Sequence, residues 1–139
     1  MARARYLADT SVFGRLTKAP VATAFAPLAA EGAVGVCAPV VFELGYATRN
    51  SADYVALTDR LNAFPAVVVT EADHQRALEV QAALVARGQH RAISFVDALV
   101  AATAEACDLS ILHYDADFEL IAAVTGQPQI WIVARGTAD

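Results

Sequence analysis

Four acids stand in surroundings that do not suit charge: Asp9 in "RYLADTSVF", Glu43 in "VVFELGYA", Asp97 in "SFVDALVAATA" and Asp115 in "ILHYDADFELI". A fifth, Asp117, lies one residue beyond Asp115. Burying an unpaired carboxylate is costly, so acids in apolar runs need a reason. If they gather, they cannot all stay ionised alone. Two unit charges about 4 Å apart repel by roughly 1 kcal/mol in water and about 4 kcal/mol at an intermediate dielectric. A cation resolves the conflict, and an all-oxygen ligand set favours a hard divalent ion, Mg2+ or Mn2+. Such an ion clamps a phosphodiester, activates a water and stabilises the leaving oxygen. Acids with a metal among them therefore suit an anionic substrate.

The elements that would bring these acids together are legible as an alternation. Apolar, β-prone runs occur at 5–8, 34–38, 66–69, 109–114 and 130–133. Short continuous runs of this kind suit parallel strands covered on both faces. Helical stretches separate them. Pro39 fits a first helical turn, and Ser51, Thr70 and Ser94 are natural N-caps. Asp73, three residues after Thr70, approximates a capping box. Gly88 closes a helix over 71–87. Strands alternating with helices make βαβ units and a three-layer α/β/α sandwich.

That topology has a geometric consequence. Right-handed crossovers put the carboxyl ends of parallel strands on one edge, together with the first turns of the helices that run back from it. Asp9 and Asp115 follow strands, Glu43 lies early in the helix after the second strand, and Asp97 is in the first turn of the helix before the fourth. The spacing predicts that all four meet. The other acids read differently. Glu71 and Asp73 open a polar helix and complement its dipole. Asp53, Asp59, Glu79 and Glu105 fit solvated faces, and Asp108 precedes the fourth strand, on the far edge. His113 alternates away from Asp115 and reads as structural.

Composition sets the bounds. The chain of 139 residues is read as one domain with a full core. Its 57% apolar content exceeds the usual share and points to a surface patch covered by a partner. Trp131 and the apolar stretches 20–31 and 51–64 are assigned to the core, part of that surface being covered. No apolar run reaches spanning length, and "MARARYLADT" is too short and too soon polar for a signal peptide. Cys37 and Cys107 are expected as buried free thiols in a reducing cytosol, so a cytoplasmic location away from membranes is predicted. The net charge of −5 does not suit a nucleic-acid binder, but nine Arg against a single Lys leave phosphate handling open.

The segments "LADTSVF", the Glu43 helix, "DALVAATA" and "LHYDADFELIA…TGQ" together resemble the PIN domain, specifically the VapC toxins of bacterial toxin–antitoxin pairs. The resemblance spans residues 6–133 and implies a Mg2+- or Mn2+-dependent ribonuclease that cuts cellular RNA and is neutralised by a cognate VapB-like antitoxin. It implies Asp9, Glu43, Asp97 and Asp115 as the catalytic, metal-binding acids. Asp117 would be an auxiliary acid on the metal, directly or through water. Thr10 and Ser11 would orient the site. A five-stranded sheet in the order 3-2-1-4-5 is implied, as are a homodimer and a toxin–antitoxin hetero-oligomer. Arg91 is a candidate contact to RNA phosphate or an ordinary loop arginine. Three rivals are weaker. A haloacid-dehalogenase-like phosphatase has its Asp-x-Asp after the first strand and needs a downstream lysine, where this chain has only Lys18. A phospho-receiver needs paired acids after strand one. A non-catalytic module on the same fold leaves the acid set without a purpose.

Overall fold

A computed structural model describes residues 3–139. The order is β1 (Tyr6–Ala8), α1 (Thr10–Phe13), α2 (Ala19–Ala30), β2 (Val34–Gly35), α3 (Ala38–Tyr46), α4 (Ser51–Leu61), α5 (Glu71–Ala86), α6 (Phe95–Ala106), β3 (Ser110–His113), α7 (Asp117–Thr125) and β4 (Gln129–Trp131). All strand pairings are parallel, and β1 lies between β2 and β3, with Leu7 beside both Gly35 and Ile111.

Alternation along the strands separates two apolar clusters. Leu7 and Ile111 face Val80, Leu84, Val100, Phe118 and Ile121, on α5, α6 and α7. Their neighbours Ala8, Val34 and Leu112 face Val12, Val21 and Phe25 on α1 and α2. The sheet is therefore covered on both faces, as its continuous apolar runs require. Leu7, Ile111 and Leu112 are buried to 2% or less. Each such side chain contributes on the order of 2 kcal/mol by leaving water. Helix α6 is buried over the whole stretch Ala98–Thr103 and on to Ala104, so its amino end is held firmly.

Several expectations need correction. The sheet has four strands in the order β2-β1-β3-β4, rather than five in the order 3-2-1-4-5. The run over 66–69 makes one isolated bridge, Val36 with Ala66, and then leaves the ladder. It passes close over Gly35, where an added Cβ would come within 2.5 Å of the Val67 Cγ2. Val68 points outward, 73% exposed, so the run is not covered on both faces as a buried strand is. Asn50, rather than Ser51, caps α4, its side chain accepting the Asp53 N–H. That helix buries only Leu61 and is not a core element. Trp131 is half-buried on the edge strand β4. Cys37 is buried as expected, but Cys107 is exposed because it caps the carboxyl end of α6. Asp73 is 3% exposed, and its Oδ2 accepts from the Thr70 N–H and the Thr103 hydroxyl. It belongs to a complete capping box and ties α5 to α6. No helix among the described residues is long and apolar enough to cross a membrane.

Candidate metal centre

Asp9 leaves β1 and caps α1. Its Oδ2 accepts the Ser11 N–H at 3.0 Å and the Ser11 hydroxyl at 2.7 Å. The Ser11 Oγ in turn accepts the Tyr114 N–H at 2.9 Å. One serine hydroxyl thus pins the turn after β1 to the turn after β3, the two places where acids leave the sheet.

Asp97 is the third residue of α6, in the second complete capping box of the chain. Its Oδ2 accepts the Ser94 N–H while its own N–H donates to the Ser94 Oγ, both at 3.1 Å. Asp115 is held from both sides. Its Oδ1 accepts the Asp117 N–H at 2.9 Å, and its own N–H donates to the His113 Nδ1 at 3.0 Å. Because Nδ1 accepts, the ring proton sits on Nε2, facing the Gln129 Oε1. The His113 ring is buried between Phe118 and Trp131, and burial lowers its pKa, which keeps it neutral.

One carboxylate oxygen from each of Asp9, Asp97 and Asp115 lies within 4.8 Å of the others. Asp9 is 3% exposed; the other two are half-buried. Burial raises the Asp9 pKa against the opposing Ser11 hydrogen bonds, and the Asp115 charge adds to the rise. Burial, then the charges of Asp9 and Asp115, push Asp97 up to about 6. Asp117 is likewise pushed up to about 6, by desolvation and then by Asp115 and Asp97. It therefore feels the group without belonging to it.

A metal fits here on the structure's own terms. The Asp9 Oδ1 is buried with no hydrogen-bond partner, and so is the Oγ1 of the next residue, Thr10. A buried acceptor left open is expensive. The three carboxylates that approach one another make an all-oxygen donor set suited to Mg2+ or Mn2+.

The remaining expected site residues lie outside the three-acid group. Glu43 is half-buried on α3 and Arg91 is exposed in the turn before α6. Ser94 was expected as a cap and Asp97 as a site acid, but the reciprocal bond between them and the place of Arg15 were not read. The Ser94–Asp97 box was legible as Ser-x-x-Asp, the same spacing as Thr70 to Asp73. Arg15, whose guanidinium lies over the Tyr114 ring at 4.6 Å, carried no sequence signal.

Comparison with known proteins supplies a second line of evidence. The family model described as the PIN domain matches residues 6–124. Ribonuclease VapC51 of Mycobacterium tuberculosis is 47% identical over 135 residues, covering 97% of this chain and 98% of its own. Ribonuclease VapC21 of the same species is 38% identical over 135 residues, covering 96% and 98%. Among solved structures, the DNA-bound VapBC of Salmonella typhimurium superposes with a TM-score of 0.76 at 12% identity, over 94% of this chain and 100% of that one. VapBC2 of Rickettsia felis bound to a promoter fragment gives 0.73 at 15% identity, over 91% and 97%. At these identities the structures speak for the fold alone.

Proposed function

This chain belongs to the PIN-domain family, and from that premise we propose that Asp9, Asp97 and Asp115 are the centre at which it cuts RNA. It is a ribonuclease of the VapC toxin type, neutralised by a cognate antitoxin. The observation that carries the site assignment is the approach of one carboxylate oxygen from each of the three acids to within 4.8 Å of the others, together with an Asp9 Oδ1 that is buried without a partner.

Asp9, Asp97 and Asp115 would hold Mg2+ or Mn2+. When bound, such an ion polarises the scissile phosphate and lowers the pKa of a water. The rest falls to the protein. Ser11 keeps the Asp9 and Asp115 turns in fixed relation, and the Ser94 box fixes the Asp97 carboxylate on a rigid helix end. Thr10 lends its open hydroxyl to the same corner. Asp117, whose carboxyl feels the charges of Asp115 and Asp97, we assign as the auxiliary acid, acting on the metal directly or through water. Glu43 we assign to the rim of the centre, acting through water, and Arg91 to a peripheral contact with RNA.

The antitoxin we place across the acidic edge and the apolar groove beside it. That groove has a volume of about 810 Å³ and is lined by Val36, Val41, Phe42, Tyr46, Tyr54 and Val68 among others. Phe42 and Tyr46 are 81% and 89% exposed, an apolar surface that a monomer rarely leaves open. Apolar side chains outside the antitoxin footprint would serve a homodimer and the larger hetero-oligomer.

The test is cleavage of total RNA in manganese. Asp9→Asn, Asp97→Asn and Asp115→Asn should each abolish it, because Asn keeps one oxygen and the shape but loses the charge that holds the ion. Asp108→Asn should cut like the parent. Its positive φ of 55° is tolerated by Asn, and it lies before β3, at the other end of the strand from Asp115. Equal cleavage by all four variants would overturn the assignment. Co-expression with the adjacent reading frame should give a single co-purifying complex; separate elution would remove the partner reading.

A further inference from the structure

We propose that Arg15 binds a backbone phosphate of the RNA next to the scissile bond, so that it is a substrate-binding residue of the reaction. The inference rests on the reading of Asp9, Asp97 and Asp115 as the cutting centre. Arg15 lies just past α1, and its Nη1 donates to the Ser11 carbonyl at 3.4 Å. Its guanidinium lies over the Tyr114 ring, 4.6 Å from the centroid. Ser11 is two residues past Asp9 and Tyr114 immediately precedes Asp115, so the cation is fixed to both acid-bearing turns at once.

The platform beneath it is rigid. Tyr114 is 5% exposed and meets Trp131 edge-on at 5.3 Å. Its hydroxyl accepts the N–H groups of Gly136 and Ala138 and donates to the Asp139 Oδ1.

The other side of the guanidinium is unspent. Arg5, Arg49, Arg76 and Arg135 each pair with a carboxylate within 4.0 Å. Arg15, like Arg60, Arg87 and Arg91, pairs with none among the described residues, and of these it alone is stacked on an acid-bearing turn. Five N–H donors in a planar fork with one weak backbone contact leave room for bidentate capture of a phosphate. An approaching RNA needs such a cation, because the chain carries a net charge of −5 and its centre is built of acids. The stack on Tyr114 sets the orientation beforehand, which reduces the entropy lost on binding.

The test uses short fluorescein-labelled single-stranded RNA of mixed sequence, the full chain and manganese. Arg15→Met keeps an apolar chain over the Tyr114 ring but loses the charge; Arg15→Lys keeps the charge but not the fork. The Met variant should raise KM about tenfold with kcat nearly unchanged, the loss of one charge-assisted contact. On an Asp97→Asn background, which binds without cutting, the same change should lower the slope of log affinity against log salt by about 0.7, the share of one phosphate on a single strand. Lys should restore the slope and only part of the KM. A Met variant with a lower melting temperature but unchanged KM and salt slope would make Arg15 a structural prop and end the proposal. If the parent itself does not cut, the ribonuclease centre is what fails, and the binding slope still decides the role of Arg15.

Discussion

Ser11 shows how much of this centre depends on atoms that never need to touch substrate. Its hydroxyl donates to Asp9 and accepts from the Tyr114 backbone, so Ser11→Ala strips one carboxylate of a partner and leaves a part-buried N–H unsatisfied. We expect a loss of about 1–2 kcal/mol in stability by chemical denaturation. Cleavage should fall much further than that figure implies, because two acids lose their common reference. Ser11→Thr keeps the hydroxyl and should recover most of both; a fully active Ala variant would show that the turns hold themselves. At this scale the meeting of Asp9, Asp97 and Asp115 was legible in the sequence, since strand ends and first helical turns are positions that topology defines. The place of Glu43 was less so. Helix α3 begins directly after the second strand segment, and which of its faces meets the edge depends on rotation about its own axis, which no local pattern reports. Asp73 teaches the complementary lesson: a buried acid can be satisfied by a cap and a threonine alone.

Among the elements, the capping box of α6 has two duties. It terminates a helix buried almost throughout, and it aims Asp97. Ser94→Ala should cost about 1 kcal/mol of stability as the loss of an N-cap. Beyond that it should weaken manganese binding measured by titration calorimetry, because the first turn that carries Asp97 loses the Oγ anchoring its N–H, even though the Ser94 backbone N–H still holds the carboxylate. Ser94→Asp, an equally good cap, should rescue the melting temperature but not the metal affinity, since it adds a charge beside a crowded acid group. Recovery of both would mean that capping is the whole of its role. The starts of α5 and α6 were legible because Thr70 and Ser94 mark them chemically, whereas the cap of α4 lies one residue before the expected Ser51. The expected strand over 66–69 does not form. Its residues, "AVVV", have every β-former's quality, but membership of a sheet requires a neighbour, and here β2 is only two residues long with a single bridge beyond it.

For the molecule as a whole, the clustered acids make stability depend on pH in an unusual sense. The Asp97 carboxyl titrates near 6 in the fold against 3.8 ordinarily, so the folded state binds its proton more tightly than the unfolded chain does. That contribution is complete below about 3.8 and lost as pH rises through about 6, and the raised Asp9 and Asp117 act in the same direction. In EDTA the melting midpoint should therefore fall between about pH 4 and pH 6.5, and Asp97→Asn should flatten the fall. Manganese at 100 times its dissociation constant should add about 2.7 kcal/mol at neutral pH. A midpoint indifferent to both pH and metal would remove the electrostatic conflict on which the centre is built. The parallel sheet adds a constraint of a different kind, one of time. Strand β1 is central, yet its neighbour β3 is formed by residues 110–113, and Asp115 lies beyond them. On the ribosome, Asp9 is made long before Asp97 and Asp115, and it must wait for them before its companions exist. With Asp9, Asp97 and Asp115 as the centre, a growing chain that has not yet reached Asp115 carries only part of it, whatever the state of the helices already folded.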